Sequence, residues 1–242
     1  MPSFFRLIGS ILGVVLRGVV CYDSRKASTR SAIFLICFTV VHAVGNLTIF
    51  WGGKAAFNEY GHKLNCTPSC DMPALLLLEA YMALGFVAHA ATGLALAWQK
   101  RKIIMQEGVW GKGGAMLVSG LVLTAFLVLH LKTFKFGAGW VAPTLGRGGA
   151  AAAARDTPRD LAAVVTATFS QPRWVAWYVG CCGMLGVHLC SGWTAAHAKA
   201  ELGVAKAERP IAKLVGHVLT LAVTAGFMSL PLYVYAGFAF KD

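Results

Sequence analysis

The chain has 242 residues, 57% of them hydrophobic and only 13% charged, with a net charge of +12. A soluble domain of this size normally holds about a quarter charged residues, so a soluble fold is excluded. Nucleic acid is excluded as the partner that balances the charge, because the basic residues stand at the edges of apolar runs rather than along one basic stripe.

Residues 1–24 contain SFFRLIGSILGVVLRGVV, in which Arg6, Ser10, Gly13 and Arg17 share one face and the rest is apolar. That pattern suits a helix lying in the membrane interface. The segment also bears arginine and no acid before Asp23, the composition of a mitochondrial targeting segment. Five apolar runs follow, at about 31–51, 74–98, 114–134, 174–198 and 211–238. Each reaches the roughly 20 residues that cross about 30 Å of hydrocarbon. They lack the two-residue alternation of barrel strands, and backbone in lipid must satisfy its own polar groups, so they are expected to be helices. The expected fold is all-α: one integral membrane domain over 1–242, a five-transmembrane-helix bundle with an N-terminal interfacial helix.

The loops set the orientation. Arg6, Arg17, Arg25, Lys26 and Arg30 precede the first span. Lys100, Arg101, Lys102 and Lys112 separate the second from the third, and Lys199, Lys206, Arg209 and Lys213 the fourth from the fifth. All are on one side, which the positive-inside rule places in the cytoplasm or mitochondrial matrix, with the N-terminus inside and the C-terminus outside. The first outer loop holds Cys66 and Cys70 as CTPSC, a spacing able to pair in an oxidising compartment. Cys37, Cys181, Cys182 and Cys190 fall in spans, where thiols act as small apolar groups. An outer insertion at 137–169 opens rich in glycine and alanine, then reads Thr157-Pro158-Arg159-Asp160. A capping hydroxyl, a proline in the first turn and an acid three residues on predict the start of a short surface helix.

Four of the seven histidines fall inside the first four spans, one per helix: His42, His89, His130 and His188. A single intramembrane histidine is ordinarily a hydrogen bond across a helix interface. Four on four helices suit two b haems, since each iron takes two imidazoles. His89 lies nine residues and His188 ten from the inner ends of their spans, depths of about 14–15 Å, so the two can share an iron. His42 lies eleven residues in and His130 sixteen, a mismatch of about 8 Å. A first helix that begins nearer Arg25, with its basic side chains snorkelling, would bring them level. The expectation is an inner haem on His89 and His188 and an outer haem on His42 and His130. His62, His197 and His217 are expected to be interfacial or hydrogen-bonding, with His217 deep enough to meet a haem propionate or quinone.

Small residues flank three of the four. Gly85 and Gly93 lie four residues either side of His89, Gly192 follows His188, and Gly45 follows His42. A porphyrin ligated from a helix lies against the adjoining turns, so these glycines are expected to clear its plane; close helix packing is the ordinary alternative. His130 has Phe126 and Phe134 at the same offsets, expected to pack on a ring edge. Glu79, near the outer end of the second span, is an intramembrane carboxylate and a candidate for exchanging quinone protons. Glu59, in the adjoining loop, is a second.

The blocks HAVGNLTIFWGGKAAFNEYGHKL, LEAYMALGFVAHAATGLALAWQKRK, FLVLHLKTF and YVGCCGMLGVHLCSGW, in that order, resemble the five-helix, two-haem cytochrome b subunit of succinate:quinone and quinol:fumarate oxidoreductases. The likeness covers roughly 24–134 and 170–237, and His-x-x-Gly-Asn-Leu with Phe-x-Gly and Asn-x-Tyr is its most specific part. It implies that His89 with His188 and His42 with His130 are the haem ligands. It also implies an anchor for a flavoprotein subunit and an iron–sulphur subunit, which hold the FAD and clusters, with membrane quinone as substrate. Where that family continues His-Leu-x-His-Gly, this chain has His188-Leu189-Cys190-Ser191-Gly192, so any role of the second histidine is missing. Two other functions remain open on the sequence. One is a stand-alone diheme transmembrane cytochrome, of which the ascorbate-reducing class has six spans; the other is a haem-free transport or interaction protein.

Overall fold

The computed structural model describes residues 24–63, 73–108, 111–136, 160–198 and 208–240. The expected interfacial segment, the Cys66 and Cys70 pair and positions 137–159 of the insertion lie outside the described residues. The described chain is all-α. Its helices are α1 (Ser24–Asn46), α2 (Thr48–Trp51), α3 (Gly53–Lys63), α4 (Pro73–Gln99), α5 (Arg101–Glu107), α6 (Lys112–His130), α7 (Leu161–Phe169), α8 (Pro172–Ala198) and α9 (Arg209–Tyr235). A π-helical turn, Leu131–Lys135, continues α6. Five stretches are long and apolar enough to cross a membrane: Ser28–Trp51, Leu76–Gln99, Gly113–Lys135, Pro172–His197 and Arg209–Tyr235. Many of their large apolar side chains, such as Leu84, Val87, Val128 and Leu221, are more than half exposed, as a hydrocarbon solvent permits.

α1 opens at Ser24, ahead of the boundary the apolar run suggests, and carries Arg25, Lys26 and Arg30 within it. Counted from the helix starts, His42 is eighteen residues into α1 and His130 eighteen residues into α6. The register mismatch expected from the apolar runs disappears. α1 ends where polar side chains compete for its carbonyls: Asn46 Nδ2 donates to His42 O at 2.7 Å and Thr48 Oγ1 to Gly45 O at 2.7 Å. After α2, Gly53 takes φ +64°, a left-handed conformation open to glycine at little cost, and the chain turns into α3.

α7 is a short helix of the insertion that starts at Leu161 with Asp160 as its cap; the expected cap, Thr157, lies outside the described residues. The Ala163 N–H donates to Asp160 Oδ1 at 3.0 Å. One face of α7 is buried through Ala162, Val165, Thr168 and Phe169.

The chain divides into two compact units built from parts of the same five spans. The first comprises the residues up to Phe38 with Tyr81–Leu121 and Val187–Val218. The second comprises Thr39–Ala80, Val122–Gly186 and the residues from Leu219. The second has a contiguous apolar core: Ile49, Phe57, Ala162, Val165, Phe169, Val175, Tyr178, Leu230 and Val234. Phe57 is 1% exposed, and burying a side chain of that size contributes about 1.5–3 kcal/mol.

Candidate functional site

Each unit assembles one pair of imidazoles. In the first, the ring centres of His89 on α4 and His188 on α8 are 6.1 Å apart with planes crossing at 80°. In the second, His42 on α1 and His130 on α6 are 5.9 Å apart at 87°. Two metal–nitrogen bonds of about 2 Å, with about 1 Å more from each nitrogen to its ring centre, would separate ring centres by about 6 Å. Both pairs have the spacing of two imidazoles on one metal ion. Among the described residues no three His, Cys, Asp or Glu side chains converge. Two protein ligands per iron are what a bis-histidine porphyrin takes, its ring nitrogens supplying the other four.

The surroundings of the two pairs differ. In the first unit both Nδ1 atoms meet serine hydroxyls: Ser31 Oγ lies 3.3 Å from His89 Nδ1 and Ser119 Oγ 3.0 Å from His188 Nδ1. Ser119 is fully buried. Thr92, also buried, donates to Ala88 O and His89 O within its own helix. A Cβ at Gly120 would lie 3.5 Å from His188 Cε1, an ordinary contact, so the imidazole lies against α6 at this position. Neither serine nor Gly120 stands out in the sequence. Serine in an apolar helix ordinarily bonds its own backbone, and only the placement of the facing histidine reveals the second contact.

In the second unit the pair is enclosed by aromatic rings. Phe126 and Phe134 flank His130 at 5.5 and 5.3 Å, Tyr178 lies at 6.2 Å, and Phe227 lies 5.7 Å from His42. Tyr178 continues the shell into the core through Phe169 at 5.0 Å. His130 Nδ1 is buried with no hydrogen-bond partner among the described residues. The π-helical turn begins one residue later; such turns concentrate at functional sites.

The four glycines separate into different environments. At Gly93 a Cβ would meet nothing within 4 Å, and at Gly192 only Met116 Cε at 3.8 Å. At Gly85 it would meet the Phe34 ring at 3.2 Å. At Gly45 it would overlap the Tyr60 ring, so the room there belongs to a tyrosine. The motif residues of the 42–60 stretch thereby acquire a physical role: Tyr60 seats on Gly45, and Asn58 bridges to α7. Asn58 Nδ2 donates to Asp160 Oδ1 at 3.0 Å and the Ala162 N–H donates to Asn58 Oδ1 at 2.8 Å. Lys54 completes the clasp, 2.7 Å from Asp160 Oδ2. Burial pushes the Asp160 carboxyl up, but Lys54 and the donors from Ala163 and Asn58 outweigh it and hold the group below its ordinary value. Burial raises the Tyr60 hydroxyl.

Glu79 forms an ion pair with Lys135, the last residue of the π-helical turn, and both side chains are about a quarter exposed. Glu59 and His62 are exposed on α3. His197 is buried, donating from Nδ1 to Trp193 O at 3.0 Å with its ring 4.7 Å from the indole. His217 Nδ1 donates to Lys213 O at 2.6 Å, and Thr194 Oγ1 lies 3.3 Å from its Nε2. Both are held by contacts within the first unit. No protein-family model, no curated protein and no solved structure matches the chain.

Proposed function

We propose that the chain is the membrane-anchor cytochrome b subunit of a succinate:quinone oxidoreductase or quinol:fumarate reductase. The observation that carries the reading is the pair of imidazoles in each unit, drawn from four different spans, at ring-centre separations of 6.1 and 5.9 Å. His89 with His188 would hold one b haem and His42 with His130 the other. Bound there, the two haems supply one-electron carriage between an iron–sulphur partner and membrane quinone.

The chain's own residues hold and insulate. Ser31 and Ser119 anchor the first pair of rings, while Phe126, Phe134, Tyr178 and Phe227 keep water from the second. Gly93 and Gly192 leave the volume beside His89 and His188 that a flat ring needs. Glu79 is the carboxylate assigned to proton exchange with quinone, its charge held by Lys135, with the exposed Glu59 as the second candidate. The basic inner loops of the sequence suit an N-terminus in the cytoplasm or matrix and a docked flavoprotein and iron–sulphur subunit on that side. The membrane is then an energy-transducing one.

Affinity purification through this chain from native membranes tests the reading. The expected result is co-purification of a flavoprotein and an iron–sulphur protein, with b-type bands reduced by succinate. B-type bands without those partners would make it a stand-alone cytochrome, and their complete absence would make it haem-free.

A further inference from the structure

We infer that Ser31 and Ser119 are positioning residues that fix the tautomer of His89 and His188, leaving each Nε2 bare as a metal ligand; the inference rests on the haem reading above. A serine hydroxyl has one proton and two lone pairs. Ser119 Oγ lies 2.7 Å from Ala115 O and 3.2 Å from Met116 O, and carbonyl oxygens only accept. The hydroxyl proton is therefore committed to the backbone, and toward His188 Nδ1, 3.0 Å away, the serine offers a lone pair. Nδ1 must be the nitrogen that carries the proton. A neutral imidazole has only one, so Nε2 is bare.

The same reasoning holds on the facing ring. Ser31 Oγ donates to Ser28 O at 3.0 Å and so accepts from His89 Nδ1 at 3.3 Å, and the Ser28 carbonyl, which only accepts, is a second partner of His89. Serines on two helices, joined at His89 by the Ser28 carbonyl, impose the same tautomer on two histidines whose ring centres are 6.1 Å apart. Bare nitrogens cannot hydrogen-bond one another, whereas an electrophile between them satisfies both. The second unit lacks this device at His130, whose Nδ1 has no partner among the described residues.

A hydrogen bond accepted from Nδ1–H makes an imidazole a stronger donor to its metal, which favours the more highly charged ferric state. Removing the acceptor should raise the midpoint potential of the haem on His89 and His188 and leave the other where it was. The test is an optical redox titration of the purified complex, wild type against Ser119→Ala, Ser31→Ala and Ser31→Thr, with haem counted in each. The expected result for both alanine variants is undiminished haem with one of two titration components moved upward, the shift smaller at Ser31, and the threonine restoring the wild-type curve. Full haem content with both components unmoved, or with both moved alike, would overturn the inference while leaving the haem reading intact. If Ser119→Ala does not assemble, Ser119→Gly and Ser119→Thr decide, because at His89 the Ser28 carbonyl remains as an acceptor when Ser31 is removed: identical curves in the two would overturn the inference. A wild-type protein without haem would overturn the functional reading itself.

Discussion

His89 and His188 meet serine hydroxyls at 3.3 and 3.0 Å, whereas His130 lies among the rings of Phe126, Phe134 and Tyr178. His130 is thus held by other means than the two imidazoles of the first unit. A hydrogen bond fixes both the rotation of an imidazole and the position of its proton. Packing against rings fixes the rotation and leaves the proton free to be set by the group bound. The first unit is assembled around polar tethers within its helices. The second grows outward from its imidazoles into an apolar core that α3 and α7 complete. Changes near His89 and His188 should therefore speak through spectra and potentials, and changes near His42 and His130 through stability.

The largest expected effect comes from removing one imidazole at a time. On the proposed orientation the first unit's haem receives electrons before the second's. His89→Ala in an assembled complex should abolish succinate reduction of the remaining haem, while His130→Ala should leave the first unit's haem reducible. Rapid-mixing spectroscopy with succinate checks this. Fast reduction of the remaining haem in His89→Ala would break the order assigned to the pairs.

Glycine substitutions should separate the units next. Leucine at Gly45 collides with the Tyr60 ring, and overpacking of this kind costs about 1–3 kcal/mol; the melting temperature in detergent should fall whether or not haem is bound. Leucine at Gly93 meets no neighbour near its Cβ. It should leave the haem-free protein's melting temperature unchanged and lower haem content in the complex. Normal haem content in Gly93→Leu would reduce that glycine to ordinary helix surface.

The smallest effect is at the clasp between α3 and α7. Asp160→Ala removes a helix cap of about 1 kcal/mol and a partly exposed ion pair of about 0–1 kcal/mol. Because the folded carboxyl titrates below its ordinary value, its contribution is fully present above the unfolded carboxylate value of about 4. It is lost as pH falls through the lower folded value. Melting curves of wild type and Asp160→Ala should differ at neutral pH and converge in acid.

The five spans are legible in the sequence because lipid selects long apolar runs; counting along the helices groups His89 with His188, and groups His42 with His130 only when the first helix starts ahead of its apolar run. What the sequence hides depends on partners distant along the chain. Asp160 caps α7 with its carboxylate also held by Lys54 and Asn58, about a hundred residues earlier. Gly45 and Gly93 share a small-residue signature, yet one seats a tyrosine and the other faces open space; spacing alone cannot tell a cofactor's room from a neighbour's. The early start of α1 does not show in the apolar run, which Arg25 and Lys26 break without breaking the helix, but the depth mismatch of His42 and His130 points to it.

One haem for each imidazole pair is read out by the pyridine haemochrome count per polypeptide in purified wild-type complex. Two protohaems per chain are expected, falling to one in His188→Ala and to one in His42→Ala. A wild-type count of one or none, or a count that either substitution leaves unchanged, would contradict this.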